Sequence, residues 1–405
     1  MIVTQGDKFL HGERCACDPE VSRAAEQGWR KVVGWLTLGL GWAGVGLQAE
    51  AAFAQAPSVP AVSASASAPA SAMAPAARWI AVPRLAGRIT AKDLGLVINT
   101  TDPYSVAVGE YYIKARKLMP QQVLRLQLPV RAALTADEFS ALAVRIAAAF
   151  GPTTQALALA WVTPYAVNCN AITGALALGY DANLCAHTCA ASRVSRYFNA
   201  ATLRPFNDLK MRPSTMLAAR DVAGAKAMID RGVAADRSLG LRGGVPAQAY
   251  FVNTADRARS ARSALFPPAG PLRRLGVDVH VESTQAIEHI DRLFIYETGL
   301  PRVEKLDTLK WLPGALADHL TSYGGQLSGD SGQMSILDWI AAGATASYGT
   351  VSEPCSHVQK FPHPQVLLQH YLQGSSALEA YWNSVAWPQQ GVFIGEPLAA
   401  PFARR

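Results

Sequence analysis

The sequence predicts an α/β fold, a mainly parallel sheet with helices on both faces and one irregular insertion at 164–245. Three observations predict it. Short apolar runs with β-branched residues alternate with helical patterns from Trp79 onward, the order that βαβ units produce. The same rhythm resumes at Ala249 after the insertion. Half of the 405 residues are hydrophobic, with 32 glycines and 25 prolines, so the chain has the apolar mass for a folded body.

Before that body the chain reads as an export segment and a tether. Arg30 and Lys31 precede the apolar run Val32 to Leu47, and Ala-x-Ala triplets follow at 49–51, 52–54 and 54–56. A positive flank, an apolar centre and small residues at the cut make a secretory signal. We therefore expect residues 1–56 to be a signal peptide with a long leader, or an uncleaved anchor, with Cys15 and Cys17 inside it. The apolar run is short of the roughly 20 residues that span a bilayer. Residues 57–77, almost all Ala, Ser, Pro and Val and without charge, read as a linker. Residues 78–405 are expected to form a single α/β domain. Residues 57–405 hold 32 basic and 24 acidic side chains, a net +8. That balance suits an acidic partner, a polyanionic glycan, an anionic membrane surface, or simply a basic soluble protein.

Leu94 to Asn99 is a strand pattern, and Ser105 is placed to cap a helix running to Leu118. Val123 to Leu128 alternates as a strand. Thr135-x-x-Glu138 is a capping-box signature opening an Ala-rich helix to Phe150. Ala156 to Thr163 is the next strand. Residues 164–245 break the rhythm and read as an excursion from the sheet, holding a helix from Asp221 to a Gly cap at Gly232. Then follow a strand at Ala249 to Asn253, a basic helix from Asp256 to Leu265, a strand at Val277 to Val281, a helix from Thr284, and an apolar run at Leu293 to Tyr296. Asp318 and His319 fall in a strand. An apolar helix feeds Gly343, a strand spans Thr345 to Val351, and a final helical region, Pro364 to Val385, is split at Gly374. No internal repeat is apparent.

Cys169, Cys185, Cys189 and Cys355 remain after export. An even number outside the cytoplasm favours disulfides, with three pairings open. The alternative is zinc on Cys185-x-x-x-Cys189 with Cys169 or His187.

The densest set of reactive side chains is the loop holding Glu353, Cys355, His357, Lys360 and His363. Loops at the carboxyl ends of parallel strands share a crevice. If the strands ending at Tyr296, Thr321 and Val351 are neighbours, Thr298, His319, Ser322, Glu353 and His357 surround one crevice, with Asp102 added from the end of the first strand. His319, Ser322, Glu353 and His357 are therefore the candidate catalytic set, in which Glu353 orients a histidine and raises its pKa toward that of a general base. The competing reading has Ser322 and Glu353 satisfying loop backbone groups and His319 as a structural histidine. Side chains alternate across a strand, so a Ser322–His319 dyad requires the strand to have ended.

Other patterns carry less chemistry. His357, His363 and His370 with Cys355 and Glu353 follow no metal-ligand spacing and read as solvated loop histidines. Gly329-Asp-Ser-Gly332 matches the surroundings of a chymotrypsin-type serine, but that enzyme is all-β. Arg212-Pro213-Ser214 suggests anion binding at most. Arg257, Arg259 and Arg262 read as a solvated face. No phosphate-cradling glycine loop and no aromatic-plus-basic module occurs, so neither a cofactor, nor a metal, nor a nucleic acid is expected.

Four stretches, Val-Ile-Asn-Thr-Thr-Asp-Pro-Tyr-Ser (97–105), Leu-Pro-Gly-Ala-Leu-Ala-Asp-His-Leu-Thr-Ser-Tyr-Gly-Gly (312–325), Gly-Ala-Thr-Ala-Ser-Tyr-Gly-Thr-Val-Ser-Glu-Pro (343–354) and Gly-Val-Phe-Ile-Gly-Glu-Pro-Leu (391–398), resemble an uncharacterised exported family. That family occurs in bacteria with the exosortase/PEP-CTERM surface-sorting system. In architecture the chain is similar to the caspase–gingipain peptidase fold. Phe294 to Gly299 stands where that fold has its His-Gly strand, with Thr298 in place of the histidine. Thr321 to Gly324 stands at the cysteine position, with Ser322 or a neighbour in its place. Loss of both removes the thiolate–imidazole chemistry. The resemblances imply an exported protein of the periplasm or envelope, a diverged peptidase-fold protein in surface-protein sorting or exopolysaccharide export. Its partners would be components of those systems, and it would meet the membrane only through its signal or anchor. The alternatives are a hydrolase with a rebuilt Ser/His/Glu site and a non-catalytic envelope-binding module.

Overall fold

Strand formation begins at β1 (Leu94–Asn99), six residues all buried, as strands covered on both faces are. The computed structural model describes residues 78–240 and 243–404. The expected signal and linker, with Cys15 and Cys17, lie outside the described residues. Helix α1 (Pro103–Arg116) follows β1. Its cap is Asp102, whose carboxylate accepts from the Tyr104 amide at 3.0 Å, with Pro103 in the first turn. Ser105, expected as the cap, is instead buried and accepts from the Asn99 amide at 2.8 Å, tying the helix to β1. Next come β2 (Val123–Leu126), the short β3 (Ala133–Leu134) and α2 (Ala136–Ala149). The Thr135–Glu138 capping box is formed as expected: Thr135 N donates to Glu138 Oε2 at 2.8 Å and Glu138 N to Thr135 Oγ1 at 3.3 Å.

Strand β4 (Ala156–Leu159) leads into the segment read as an excursion. It holds β5 (Ala166–Val167), β6 (Asn170–Ala171), α3 (Ile172–Leu178), α4 (Ala182–Ala186) and α5 (Pro205–Leu209). It is not wholly outside the sheet. β7 (Ser214–Met216) sits between β4 and the last strand. Three residues behind Pro213 are too few to show a period, so only their neighbours make them a strand. α6 (Val222–Ala235) runs past Gly232, the expected cap. A Cβ there would lie 2.4 Å from Glu396 Cγ, so the glycine is required for close approach to Glu396 and not for chain reversal.

The second half comprises β8 (Ala247–Asn253), the 3-10 helix Arg259–Leu265, β9 (Gly270–Leu272), β10 (Val277–Ser283), β11 (Leu293–Thr298) and β12 (Trp311–His319). The helix expected from Thr284 is absent, because Ser283 ends one strand and Leu293 begins its parallel neighbour's neighbour. The connection must return along the length of a seven-residue strand, roughly 23 Å at about 3.3 Å per residue. Nine helical residues would reach about 13.5 Å, so the link is extended. α7 (Leu337–Ala342), β13 (Ala346–Thr350), α8 (Pro364–Leu372), α9 (Ala377–Ser384) and β14 (Gly391–Gly395) complete the chain. Gly374, at φ 99°, separates α8 from α9 as expected.

Among the described residues eleven strands form one sheet in the order β2-β1-β4-β7-β14-β13-β12-β11-β8-β10-β9, beside a small β3-β5-β6 sheet. The α/β class and the mostly parallel sheet are thus as the sequence predicts. β8, β10, β11, β12 and β13 pair in parallel, while β14 is antiparallel to β13. Leaving aside the antiparallel edge strand β9 and the strands of the small sheet, each half orders its strands second, first, third, fourth: β2-β1-β4-β7 and β10-β8-β11-β12. This repeat of topology is invisible in the residues. One hydrophobic core runs from Ile89 to Phe402.

Among the described residues two disulfides form, Cys169–Cys185 and Cys189–Cys355, each with Cα atoms 5.2 Å apart. They fit an oxidising compartment outside the cytoplasm and remove the zinc reading, since all its thiols are used. Among the described residues no helix is long and apolar enough to cross a membrane.

Candidate functional site

The carboxyl ends of β8, β11, β12 and β13 share one edge because these strands are parallel neighbours. There Glu297 and Asp318, side by side in register on β11 and β12, are both fully buried. Two carboxylates in an apolar interior need a cation, and the 3-10 helix supplies Arg262. Its guanidinium lies 3.1 Å from Glu297 Oε2 and 2.6 Å from Asp318 Oδ1, and donates to the Thr298 and Pro362 carbonyls at 3.0 and 3.2 Å. The Asp318 contact is the shorter of the two ion pairs. Burial pushes the Glu297 carboxyl well up, and the Asp318 charge pushes it further. One proton on this pair leaves the cluster neutral with Arg262.

Arg262 was expected on a solvated face; it is 2 % exposed. Helical spacing gave no hint, because its partners are 35 and 56 residues away. A signal did exist on the other side: Glu297 and Asp318 each interrupt an apolar strand, and a buried carboxylate implies a cation.

His319 ends β12, and the strand has indeed finished before Ser322. Its ring is nonetheless committed elsewhere. Trp339 Nε1 donates to His319 Nδ1 at 2.9 Å, so Nε2 carries the proton and faces the Met334 carbonyl at 3.2 Å. Burial lowers its pKa to about 3. The Trp339 indole packs edge-on to Tyr296, Trp311 and His319. This is a structural histidine, fixed in one tautomer.

The other candidates do not join it. Ser322 accepts from Thr350 Oγ1 through its carbonyl at 2.9 Å, and among the described residues its hydroxyl has no histidine partner. Glu353 Oε1 accepts from the Cys355 amide at 2.7 Å, closing its own loop. His357 Nε2 faces the Cys189 carbonyl at 2.9 Å, with its ring against Trp387. Thr298 is buried with its hydroxyl unpartnered. Asp102 is remote: β1 and β12 stand five strand positions apart in the sheet, about 24 Å at about 4.8 Å per spacing. Cys355 is in a disulfide and cannot serve a metal, and among the described residues no three His, Cys, Asp or Glu side chains are placed to hold one. A general base needs a neutral nitrogen facing the proton it takes, and neither His319 nor His357 presents one to Ser322.

A second polar set lies above the ion cluster. Thr321 Oγ1 donates to Gln333 Oε1 at 2.7 Å and accepts from Arg259 Nε at 3.2 Å. Arg259 is also paired with Asp256 at 2.8 Å. Beside it a polar recess is lined by Asn253, Thr254, Arg257, Ser260 and Ser263. The edge is thus a polar floor sealed by an internal salt cluster.

The four motif stretches also resolve into structural roles. Glu396, in the last of them, receives Tyr112 OH at 2.7 Å and Arg116 at 2.6 and 2.9 Å, while Arg116 also reaches Asp236 at 2.6 Å. Tyr104, in the first, donates to the Leu217 carbonyl at 2.9 Å and accepts from the Ala219 amide at 2.9 Å. In the two middle stretches Gly314 N donates to Thr345 Oγ1 at 2.9 Å.

The fold and this edge define an α/β protein with a mostly parallel sheet whose carboxyl edge is closed by a buried Arg–Glu–Asp cluster. No family model matches the chain, and no curated protein or solved structure matches it either.

Proposed function

We propose that this chain is an exported envelope protein of diverged peptidase-like architecture that acts by binding, in surface-protein sorting or exopolysaccharide export, and not by hydrolysis. The observation that carries this reading is the state of the carboxyl edge. His319 is neutral and held between Trp339 and Met334, and Arg262 fills the space between Glu297 and Asp318. Thr298 and Ser322 stand at the positions where the resemblance would set an imidazole and a thiolate, and neither can form that pair. The disulfides, with the signal-like residues 1–56, support passage to the periplasm or envelope. The motif resemblance supports the link to sorting or export.

The test is deletion of the gene in its own bacterium, followed by complementation. Retention of surface proteins and secretion of exopolysaccharide are measured. The double variant Ser322→Ala, His357→Ala, in which the changed side chains are at most half-buried, should restore the wild-type phenotype. Failure to restore at normal protein level would return the hydrolase reading. A deletion that changes neither property would end the link to sorting and export.

A further inference from the structure

At the opposite edge, by the amino ends of β8 and β10, a cavity of about 640 Å³ opens. That is the size of a ligand pocket. Its wall is apolar: Leu239, Leu272, Leu275, Leu372 and Phe402. Its rim is cationic: Arg84, Arg237 and Arg404. No Asp or Glu lines it, and among the described residues none of the three guanidinium groups has a carboxylate within ion-pair distance. Asp236, next to Arg237 in the chain, is taken by Arg116 at 2.6 Å. Arg273 and Arg274, between two of the lining leucines in sequence and both exposed, add to the positive field.

An occupant must therefore match two chemistries at once, an apolar body and an anionic end. The uncharged residues 57–77, which lead to Trp79 at the rim, offer only the first. We propose that this cavity binds a single-chain anionic amphiphile, with its alkyl chain against the leucines and Phe402 and its carboxylate or phosphate on Arg84, Arg237 and Arg404. The leucines supply affinity through burial of methylenes, about fourfold for each. The guanidinium groups supply the choice of head group through charge-assisted hydrogen bonds. This site is separate from the carboxyl edge and does not rest on the absence of hydrolysis there.

The experiment titrates the full chain by calorimetry with dodecanoate, dodecyl phosphate and dodecanol, three probes with one chain and different heads, the two anions kept below their micelle concentrations and dodecanol below its solubility. At least one of the two anions should bind, and dodecanol should bind about tenfold more weakly or less; the tighter anion identifies the head group as carboxylate or phosphate. Arg84 and Arg237 are exposed, so Arg84→Ala with Arg237→Ala should fold normally and bring the anions down to the level of dodecanol. Leu239→Trp, which fills the cavity, should weaken all three probes. Equal binding of the three, anion binding unchanged in the double arginine variant, or no binding of either anion would each overturn the proposal.

Discussion

Arg262 shows how much one side chain can organise when it is out of water. An isolated buried carboxylate is costly, and two side by side are worse, so the strands β11 and β12 can pair with Glu297 against Asp318 only while a cation stands over both. Arg262→Ala should cost about 3–5 kcal/mol, the usual penalty for stranding a buried charge, read as a fall in the urea midpoint. Glu297→Gln tests the proton. Burial raises the Glu297 carboxyl well above its ordinary value. The stability tied to that proton is fully present below the unfolded value, about 4.3, and is lost as pH rises through the folded one. The glutamine variant should therefore match wild type at pH 4 and gain on it toward pH 8, by about 1.4 kcal/mol for each pH unit up to the folded value. A difference between the two proteins that does not change with pH would show that no proton is held. At this scale the sequence was half legible. The two carboxylates stand out inside apolar runs, but a helical period places Arg262 on a wet face, and only the fold over the sheet turns it inward.

Among the elements, the contrast lies between those set by local chemistry and those set by their neighbours. The α2 capping box joins residues three apart, and β1 and β8 are largely apolar runs that need no partner to be recognised. β7, the extended link after β10 and the 3-10 form of residues 259–265 were missed because each answers to a distance or a neighbour elsewhere. The Cys189–Cys355 disulfide is the strongest such tie, linking residues 166 apart and pinning the loop of Glu353 and His357 to the segment after α4. Closing a longer loop removes more freedom from the unfolded chain. Cys355→Ser should therefore lower stability by roughly 5 kcal/mol and Cys185→Ser, which opens a tie only 16 residues long, by roughly 3 kcal/mol. Urea unfolding of both variants under non-reducing conditions gives the comparison, and an inverted order would contradict it. Wild-type protein, denatured without reductant, should show no reactive thiol from these four cysteines.

Over the whole molecule, burial has made three histidines neutral: His319, pushed down to about 3, His370, to about 4, and His363, also lowered. The unfolded chain binds protons on them near pH 6.5 and the folded one does not. Their contribution is thus present above that pH and is lost as pH falls toward the folded values, with a slope of up to about 1.4 kcal/mol per pH unit for each. The protons held by buried Glu297 and the other raised carboxyls act in the opposite sense over the same range, so the test is the difference between proteins: from pH 7 to pH 5 His370→Gln should gain stability relative to wild type. Equal slopes in the two proteins would contradict neutral burial of His370. By itself the sequence determined the α/β class, most strand positions, the capped start of α2, the break at Gly374 and the presence of disulfides, since each follows from near neighbours or from composition. Only the tertiary structure decided which cysteines pair, that two halves share one strand order, and that His319, Ser322, Glu353 and His357 are each engaged with backbone or packing and not with one another. The reason is physical: Arg262 with Asp318, Arg116 with Glu396 and Cys189 with Cys355 are contacts between residues from 56 to 280 positions apart, and their energies exist only once the sheet has brought those positions together.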